Sequence, residues 1–578
     1  MIPEKFLDSR IKLVLALLLP AILIYYKSIK YDFTTLDEQW LIVNNADLLN
    51  GWKAVKDGFT KSITGLYYRP LLITSVFIDY KIGKLSPTIY HFSNLLMHLG
   101  CVLLLFKFLR LNKISRTAAW VLSLIFSVHP ILLHAVAWVP GRNDLLLCIF
   151  TLSSLIFLLR FFEEPKKIFF ILHVLFFVGA LFTKETAIAL PVIYLGCYLV
   201  YKKEKPMQIW VFMPVWLIIA GAWLVLRNNI VEVPAPDQLS LLEVIKNLVP
   251  AMILYTGKAI LPVQQSILPL MRNSSVIPGL LVIALLLFLV FKPGLRDKRI
   301  AGLGLLFFFL ILALPVWFSA SKNGAEHYEH RIYTAMPGML LFISQLNFNY
   351  NSRIFKYSVL AVFVFFCLKT YLRMPVYKDK TNFVEAGVRE CPGNYLFLFQ
   401  KSEILFNEKN FAGALDYCNQ AIAIRPDRSQ LYSNRGTIYY TLGFYKSAVS
   451  DFNKAISLSP KPDFKYHLSR AISYEKTGDI KNSVKDLIFV RRNFPTPVPE
   501  DVSRVIVEKW TREVDALNKQ IEAKPEDAHL YFERAGLYFA VEQEKEGLAD
   551  LSKACALAPE NKEYLKQYME HYEKQPVK

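Results

Sequence analysis

The sequence predicts an all-α protein in two parts: a polytopic membrane domain of about eleven helices, then a solenoid of short helical pairs. Three observations carry this reading. The chain has 578 residues, 54% of them hydrophobic, with a mean hydropathy of +0.30. That is too apolar for a soluble chain, and the apolar residues fall in runs near the ~20 residues that carry a helix across hydrocarbon. The formal net charge of +19 is concentrated in short gaps between those runs. This is the pattern of cytoplasmic loops, not of a nucleic-acid surface, so no nucleic-acid partner is expected. Past residue 390 the composition turns to that of soluble helices, and a 34-residue period appears.

The first span, 11–26, follows Lys5 and Arg10 without a small-x-small cleavage site, so it reads as an anchor. A polar first outer loop, 27–89, follows; its apolar piece 71–80 is too short to cross and is expected at the interface. Ten further spans are predicted at 90–109, 115–132, 144–161, 167–183, 186–201, 208–226, 276–291, 300–318, 331–346 and 355–373. The run 245–262 is set aside as re-entrant or interfacial. With it excluded, Lys107, Arg110, Lys113 and Arg116 share one side with Arg160, Lys166 and Lys167, with Lys202, Lys203 and Lys205, and with the 292–299 cluster. The first loop, the 133–143 loop, the turn 184–185, the 319–330 loop and everything after 373 then lie on the opposite, non-cytoplasmic side. The domain boundaries follow: a membrane domain over 1–373, a linker over 374–390 and a repeat domain over 391–578.

In the repeat domain Ala414, Ala421 and Pro426 recur as Ala448, Ala455 and Pro460. Gly436, Tyr439, Gly443 and Phe452 complete the clearest unit. Small residues where two helices cross, aromatics beside them and a closing proline at this period define the tetratricopeptide repeat (TPR). Segment 496–524 fits poorly and is expected as an irregular helical pair; 561–575 is expected to cap the stack. The seven cysteines form no CxxC or metal spacing, so no metal centre and no cofactor is expected.

The motif-bearing loops all belong to the outer side. They carry Asp37-Glu38, Leu41-Ile42-Val43-Asn44-Asn45, Tyr68-Arg69-Pro70-Leu71, and Tyr90-His91 running to Asn94 and His98. After these come His129-Pro130, His134, Ala135 to Trp138, Gly141-Arg142-Asn143-Asp144, Lys184-Glu185, and Glu329-His330-Arg331-Ile332-Tyr333. In this order the pieces resemble the transmembrane-and-TPR O-mannosyltransferases of the GT-C fold and their bacterial relatives. The resemblance covers about 30–345 and the TPR tail. Two departures stand out: Leu132 and His134 replace a His and a Glu of the family pattern, and Pro337 is displaced from its usual place after the EHR segment.

The resemblance implies an integral membrane glycosyltransferase. It would move a sugar, a hexose such as mannose, from a polyprenyl- or dolichyl-phosphate donor to Ser/Thr hydroxyls of proteins. Its site would face the periplasm of a bacterial inner membrane, or the lumen of the endoplasmic reticulum in a eukaryote. The chemistry needs a carboxylate beside the anomeric carbon to take the acceptor proton, and a fixed cation to meet the leaving phosphate. Asp37 is assigned as the base, with Glu38 as a second or orienting acid. Arg331 is assigned to the phosphate, with Arg69, Arg142 and Lys184 as further candidates. Glu185, Glu329, His330, His129, His134 and Asp144 complete the candidate set; His91 and His98 are read as packing groups. The TPR groove would hold protein acceptors or partners. Two other functions fit less of the sequence: a non-catalytic TPR scaffold for envelope assembly, and a polymerase or ligase of lipid-linked glycans.

Overall fold

A computed structural model describes residues 10–34, 37–62, 65, 67–201, 209–231, 240–269, 274–291, 294–320, 328–349, 352–494 and 498–572. The regular elements among the described residues are helices, with an isolated bridge between Leu295 and Leu346. The chain divides into two compact units, 1–393 and 394–578.

The helices of the first unit that position the site are α1 (Arg10–Tyr25), α2 (Pro70–Gly83), α3 (Pro87–Leu111), α4 (Arg116–Val128), α5 (Arg142–Glu163), α6 (Lys167–Leu181), α7 (Leu190–Tyr201), α8 (Ile209–Ile230), α9 (Leu241–Ile260), α10 (Ile277–Phe291), α11 (Lys298–Ala320), α12 (Ile332–Ile343) and α13 (Arg353–Arg373). Among the described residues six helices are long and apolar enough to cross a membrane: Ile11–Lys30, Pro87–Leu111, Val139–Glu163, Phe212–Ile230, Lys298–Ala320 and Arg353–Tyr377. Arg116–Val128 and Pro130–Ala137 make a seventh if the pair, bent by 50° at the His129-Pro130 break, is one span. The chain is a multi-pass membrane protein. The other expected spans fall on helices of 15, 12, 15 and 12 residues (α6, α7, α10 and α12). At ~1.5 Å per residue these are shorter than the ~30 Å of hydrocarbon, so the count by length is below the expected eleven.

Charge separates α9 from the long spans: Glu243, Lys246 and Lys258 interrupt its apolar run, and its N-terminus is closed by a reciprocal Ser240–Glu243 capping box. The interfacial piece expected at 71–80 is a full helix, α2, started by Pro70 at its first turn. α11 and α12 approach each other closely. A Cβ on Gly304 would lie 2.7 Å from the Gly338 carbonyl, and one on Gly338 would lie 2.6 Å from the Phe308 nitrogen. Only glycine lets these backbones touch, and the contact fixes the 328–331 turn at the head of α12. Residues 374–390, expected as a linker, are helical (Met374–Tyr377 and Lys380–Glu390). Arg373 forks onto Glu390 at 2.7 Å through both nitrogens and ties the two ends of this stretch together.

The second unit stacks α14 (Tyr395–Asn407), α15 (Phe411–Ile424), α16 (Ser429–Thr441), α17 (Tyr445–Leu458), α18 (Phe464–Thr477), α19 (Ile480–Asn493), α20 (Glu500–Ala523), α21 (Ala528–Ala540), α22 (Glu544–Leu557) and α23 (Lys562–Tyr572). The small residues Ala414, Ala421, Gly436, Ala448, Ala455, Ala471 and Ala554 are buried at the crossings. A polar ladder runs beside them. Arg435, Arg470 and Arg534 fork onto Asp451, Asp486 and Asp550 of the following helix. Each also reaches back to an asparagine of the preceding helix: Asn419, Asn453 and Asn518. The irregular pair expected over 496–524 is instead one 24-residue helix, α20. Its Asn518 supplies the last rung, so α20 stands where the second helix of a repeat would stand.

Candidate functional site

The loop that follows α1 is anchored by its apolar side chains. Leu41, Ile42 and Leu49 are buried with Leu72, Val76 and Phe77 of α2. This leaves Asp37 at the edge of a cavity, its carboxylate taking the Trp40 indole N–H at 3.3 Å. Arg69, the residue before α2, turns onto Glu185 through Nε and Nη2 at 3.0 and 2.9 Å and lies over the Tyr67 ring. The other Glu185 oxygen accepts the Tyr68 backbone N–H, and Leu71 N–H bonds the Phe182 carbonyl, so the first loop is clamped to the 182–185 turn.

Beside this pair, Lys184 Nζ donates 2.8 Å bonds to both oxygens of Asp144 in the first turn of α5. Both groups are buried, so each depends on the other to stay charged. His330 Nε2 is 3.9 Å from the same carboxylate. Next to it Arg331 donates to the Pro315 carbonyl of α11 at 3.0 Å and lies over the Tyr328 ring. The turn that carries His330 and Arg331 is held from behind: Glu329 accepts from Lys258 at 2.6 Å and from the Ser266 N–H at 2.9 Å, and Tyr255 donates to the Tyr328 carbonyl.

These pieces line one cavity of about 440 Å³, the size of a small-molecule site. Of the expected residues it collects Asp37, Arg69, Lys184, Glu185, His330 and Arg331. Trp40, Trp138, Asn143 and Tyr328, which stand in or beside the motifs without an assigned role, also line it, as do Tyr67, Trp223 and Arg227, which escaped the sequence reading. For two of them a signal existed. Phe212, Trp216, Ala220 and Trp223 are buried along one side of the largely exposed α8, a helical stripe that leads to Arg227.

The other candidates lie outside the lining. Glu38 is buried under the first loop, with Thr34 Oγ1 donating to both of its oxygens; it faces inward because its neighbours Leu41 and Ile42 do. Arg142 is fully buried and pairs with Asp79 at 2.7 Å, pinning α5 to α2. Its Nη2 also donates to the Tyr90 carbonyl and Ser93 Oγ of α3. Asp144, Glu329 and His134 stand one layer behind the wall: His134 packs against Trp138, His330 and Tyr377. His129 caps the turn after α4 and packs on Phe366.

The electrostatics follow from crowding four cations with few acids. Burial, and the charges of Arg69 and Arg331, lower the Lys184 pKa against the opposing pull of Asp144. Burial alone would raise Glu185, but the Arg69 guanidinium holds it below the ordinary carboxylate range. Burial, then His134, Lys184, Arg331 and Arg69, hold His330 well below its usual value, so it is neutral near pH 7. Glu38 goes the other way: burial, with Asp37 next to it, pushes it up to about 7. A cavity bearing Arg69, Lys184, Arg227 and Arg331 against Asp37 and Glu185 suits an anionic ligand with one reactive edge beside a carboxylate.

The fold and this cavity define a class: a multi-pass helical membrane protein with a cation-lined pocket and a TPR solenoid. Residues 429–462 match the tetratricopeptide repeat family. Protein O-mannosyl-transferase TMTC1 of Mus musculus is 30% identical over 212 residues, 32% of this chain and 21% of the relative. TMTC1 of Homo sapiens is 29% identical over 201 residues, 31% of this chain and 22% of the relative. Tmtc3 of Drosophila melanogaster is 36% identical over 121 residues, 18% and 12% of the two chains. The chain is a relative of these transmembrane-and-TPR proteins and spans about a fifth of the length of the TMTC1 proteins it matches. Among solved structures, the TPR protein YrrB covers 32% of this chain at 15% identity with a TM-score of 0.21, too slight a likeness to argue from.

Proposed function

We propose that the chain is a membrane glycosyltransferase that moves a hexose, mannose by relationship, from a polyprenyl-phosphate carrier to a hydroxyl of a protein acceptor on the non-cytoplasmic side. The observation that carries this reading is the meeting of Asp37 with Arg69, Lys184 and Arg331, from four segments far apart in the chain, around one cavity. Asp37 takes the acceptor proton as the new C–O bond forms at the anomeric carbon; the bond from that carbon to the phosphate oxygen breaks, and the phosphate leaves with its charge. Arg331 meets that charge, and Lys184 and Arg69, paired with Asp144 and Glu185, shape the wall beside it. In this reading the protein's own cations supply the positive charge. Relatives named O-mannosyl-transferases and the TPR tail support the acceptor class. The direct test is purified full-length protein in nanodiscs with radiolabelled polyprenyl-phosphate mannose and a membrane-protein extract as acceptor. Label transferred to Ser/Thr in a base-labile link is expected; no transfer from this or related hexose donors overturns the reading.

A further inference from the structure

Four of the residues lining the cavity are exposed, and all four lie on two helices. Leu224 is 41% exposed on α8; Leu314, Trp317 and Phe318 are 42%, 44% and 47% exposed on α11. Every other lining residue is buried or half-buried. The cavity wall is therefore also the outer surface of the unit at this place. Around it that surface is apolar: Leu217, Ile218, Val225 and Leu226 on α8 are exposed as well. α8 packs on α6 and α7, whereas α11 packs on α7, α9 and α12, so the two helices have mostly different supports.

Charge completes the pattern. Arg227 follows Leu224 by one helical turn and lines the same cavity. Its side chain donates to neutral Asn228 at 3.2 Å, and among the described residues no carboxylate lies within ion-pair distance of it. Arg69 and Lys184 are already matched by Glu185 and Asp144. Arg227 sits in the last turn of α8 and Leu314 to Phe318 in the last two turns of α11. Both sets are within ~9 Å of their helix ends, the depth of lipid headgroups.

We infer that the gap between α8 and α11 is the entry and seat of a lipid-linked phosphate: a single isoprenoid chain lies over Leu224, Leu314, Trp317 and Phe318, and Arg227 binds the phosphate at the mouth. The inference rests on the glycosyl-transfer reading for the identity of the lipid, and it names where that lipid sits. A seat open to the bilayer lets the apolar tail stay in hydrocarbon while the charged group enters the cavity. An arginine at that depth keeps its charge by meeting a phosphate instead of water.

The test is photocrosslinking of radiolabelled polyprenyl phosphate to the full chain in nanodiscs, with p-benzoylphenylalanine replacing Leu224 or Phe318, and Ile218 (69% exposed) as the bulk-lipid control. Saturable adducts are expected at 224 and 318, removed by excess unlabelled polyprenyl phosphate, with only non-saturable labelling at 218. Arg227→Gln should weaken polyprenyl-phosphate binding tenfold or more, and Arg227→Lys by less, because it keeps the charge. Non-saturable labelling at 224 and 318, or unchanged affinity in Arg227→Gln, overturns the proposal. Equal competition by phosphatidic acid also overturns it, by giving the seat to a diacyl lipid. If polyprenyl phosphate binds saturably but labels neither position, the seat is wrong and the glycosyl-transfer reading stands. If it does not bind at all, both fall.

Discussion

The adjacent acids Asp37 and Glu38 have the same chemistry and opposite surroundings. Asp37 lines the cavity, whereas Glu38 is 1% exposed among apolar side chains. Burial raises the Glu38 pKa from 4.5 to about 7. The folded state thus binds its proton more tightly than the unfolded state. Its contribution to stability is full below pH 4.5 and falls as pH rises towards 7. Glu38→Gln, which cannot ionise, should flatten this part of the profile: thermal unfolding of wild type should drop between pH 5 and 7.5 relative to the variant. Parallel profiles would show that Glu38 is not buried as described. Arg331 makes a second case. Arg331→Lys keeps a charge but loses the fork that spans the Pro315 carbonyl and the cavity, so donor affinity and turnover should both fall. A loss of turnover alone would mean that Arg331 does not meet the ground-state phosphate.

At the scale of elements, most of the plan was legible. Hydrophobic run length located the helices because a helix in hydrocarbon must satisfy its own backbone. The 34-residue period located the repeats because each unit buries its small residues against the next. Three things were not legible. Run length could not show how short α7 is, since the apolar residues Ala187 to Ala189 belong to the Glu185–Ala189 turn before it. The poor repeat match over 496–524 hid one long helix, because its partners are set by rungs such as Asn518–Arg534 and not by small residues. Trp223 lies inside an apolar run where every residue looks lipid-facing and Arg227 just past the end of that run, and only the face of α8 singles them out. The ladder itself is testable. Asp486 receives both Arg470 nitrogens at 2.7 Å and His467 at 3.1 Å. Asp486→Ala should lower the stability of the compact 394–578 unit by about 1.5–3 kcal/mol in urea unfolding, with the m-value unchanged. A change under ~0.5 kcal/mol would make the ladder a surface feature.

At the scale of the whole molecule, the cavity gathers Asp37 from the first loop, Arg69 from the head of α2, Lys184 from the α6–α7 turn, Arg227 from α8 and Arg331 from the turn before α12. Sequence reading placed these loops on one side by charge alone, and the cavity that joins them needed the fold. Buried pairs such as Arg142–Asp79 and Lys258–Glu329 hold the loops in register, so the buried charge of these loops divides between scaffold and cavity. The central claim is that Asp37 is the base of a glycosyl transfer carried out in this cavity. The measurement that tests it most directly is single-turnover transfer from polyprenyl-phosphate mannose by wild type and Asp37→Asn in the same nanodiscs, with donor binding measured in parallel. The variant keeps size and polarity but cannot take the proton. The account predicts a rate ~10²–10⁴-fold lower with donor affinity unchanged within a few-fold; transfer by Asp37→Asn at the wild-type rate would contradict it.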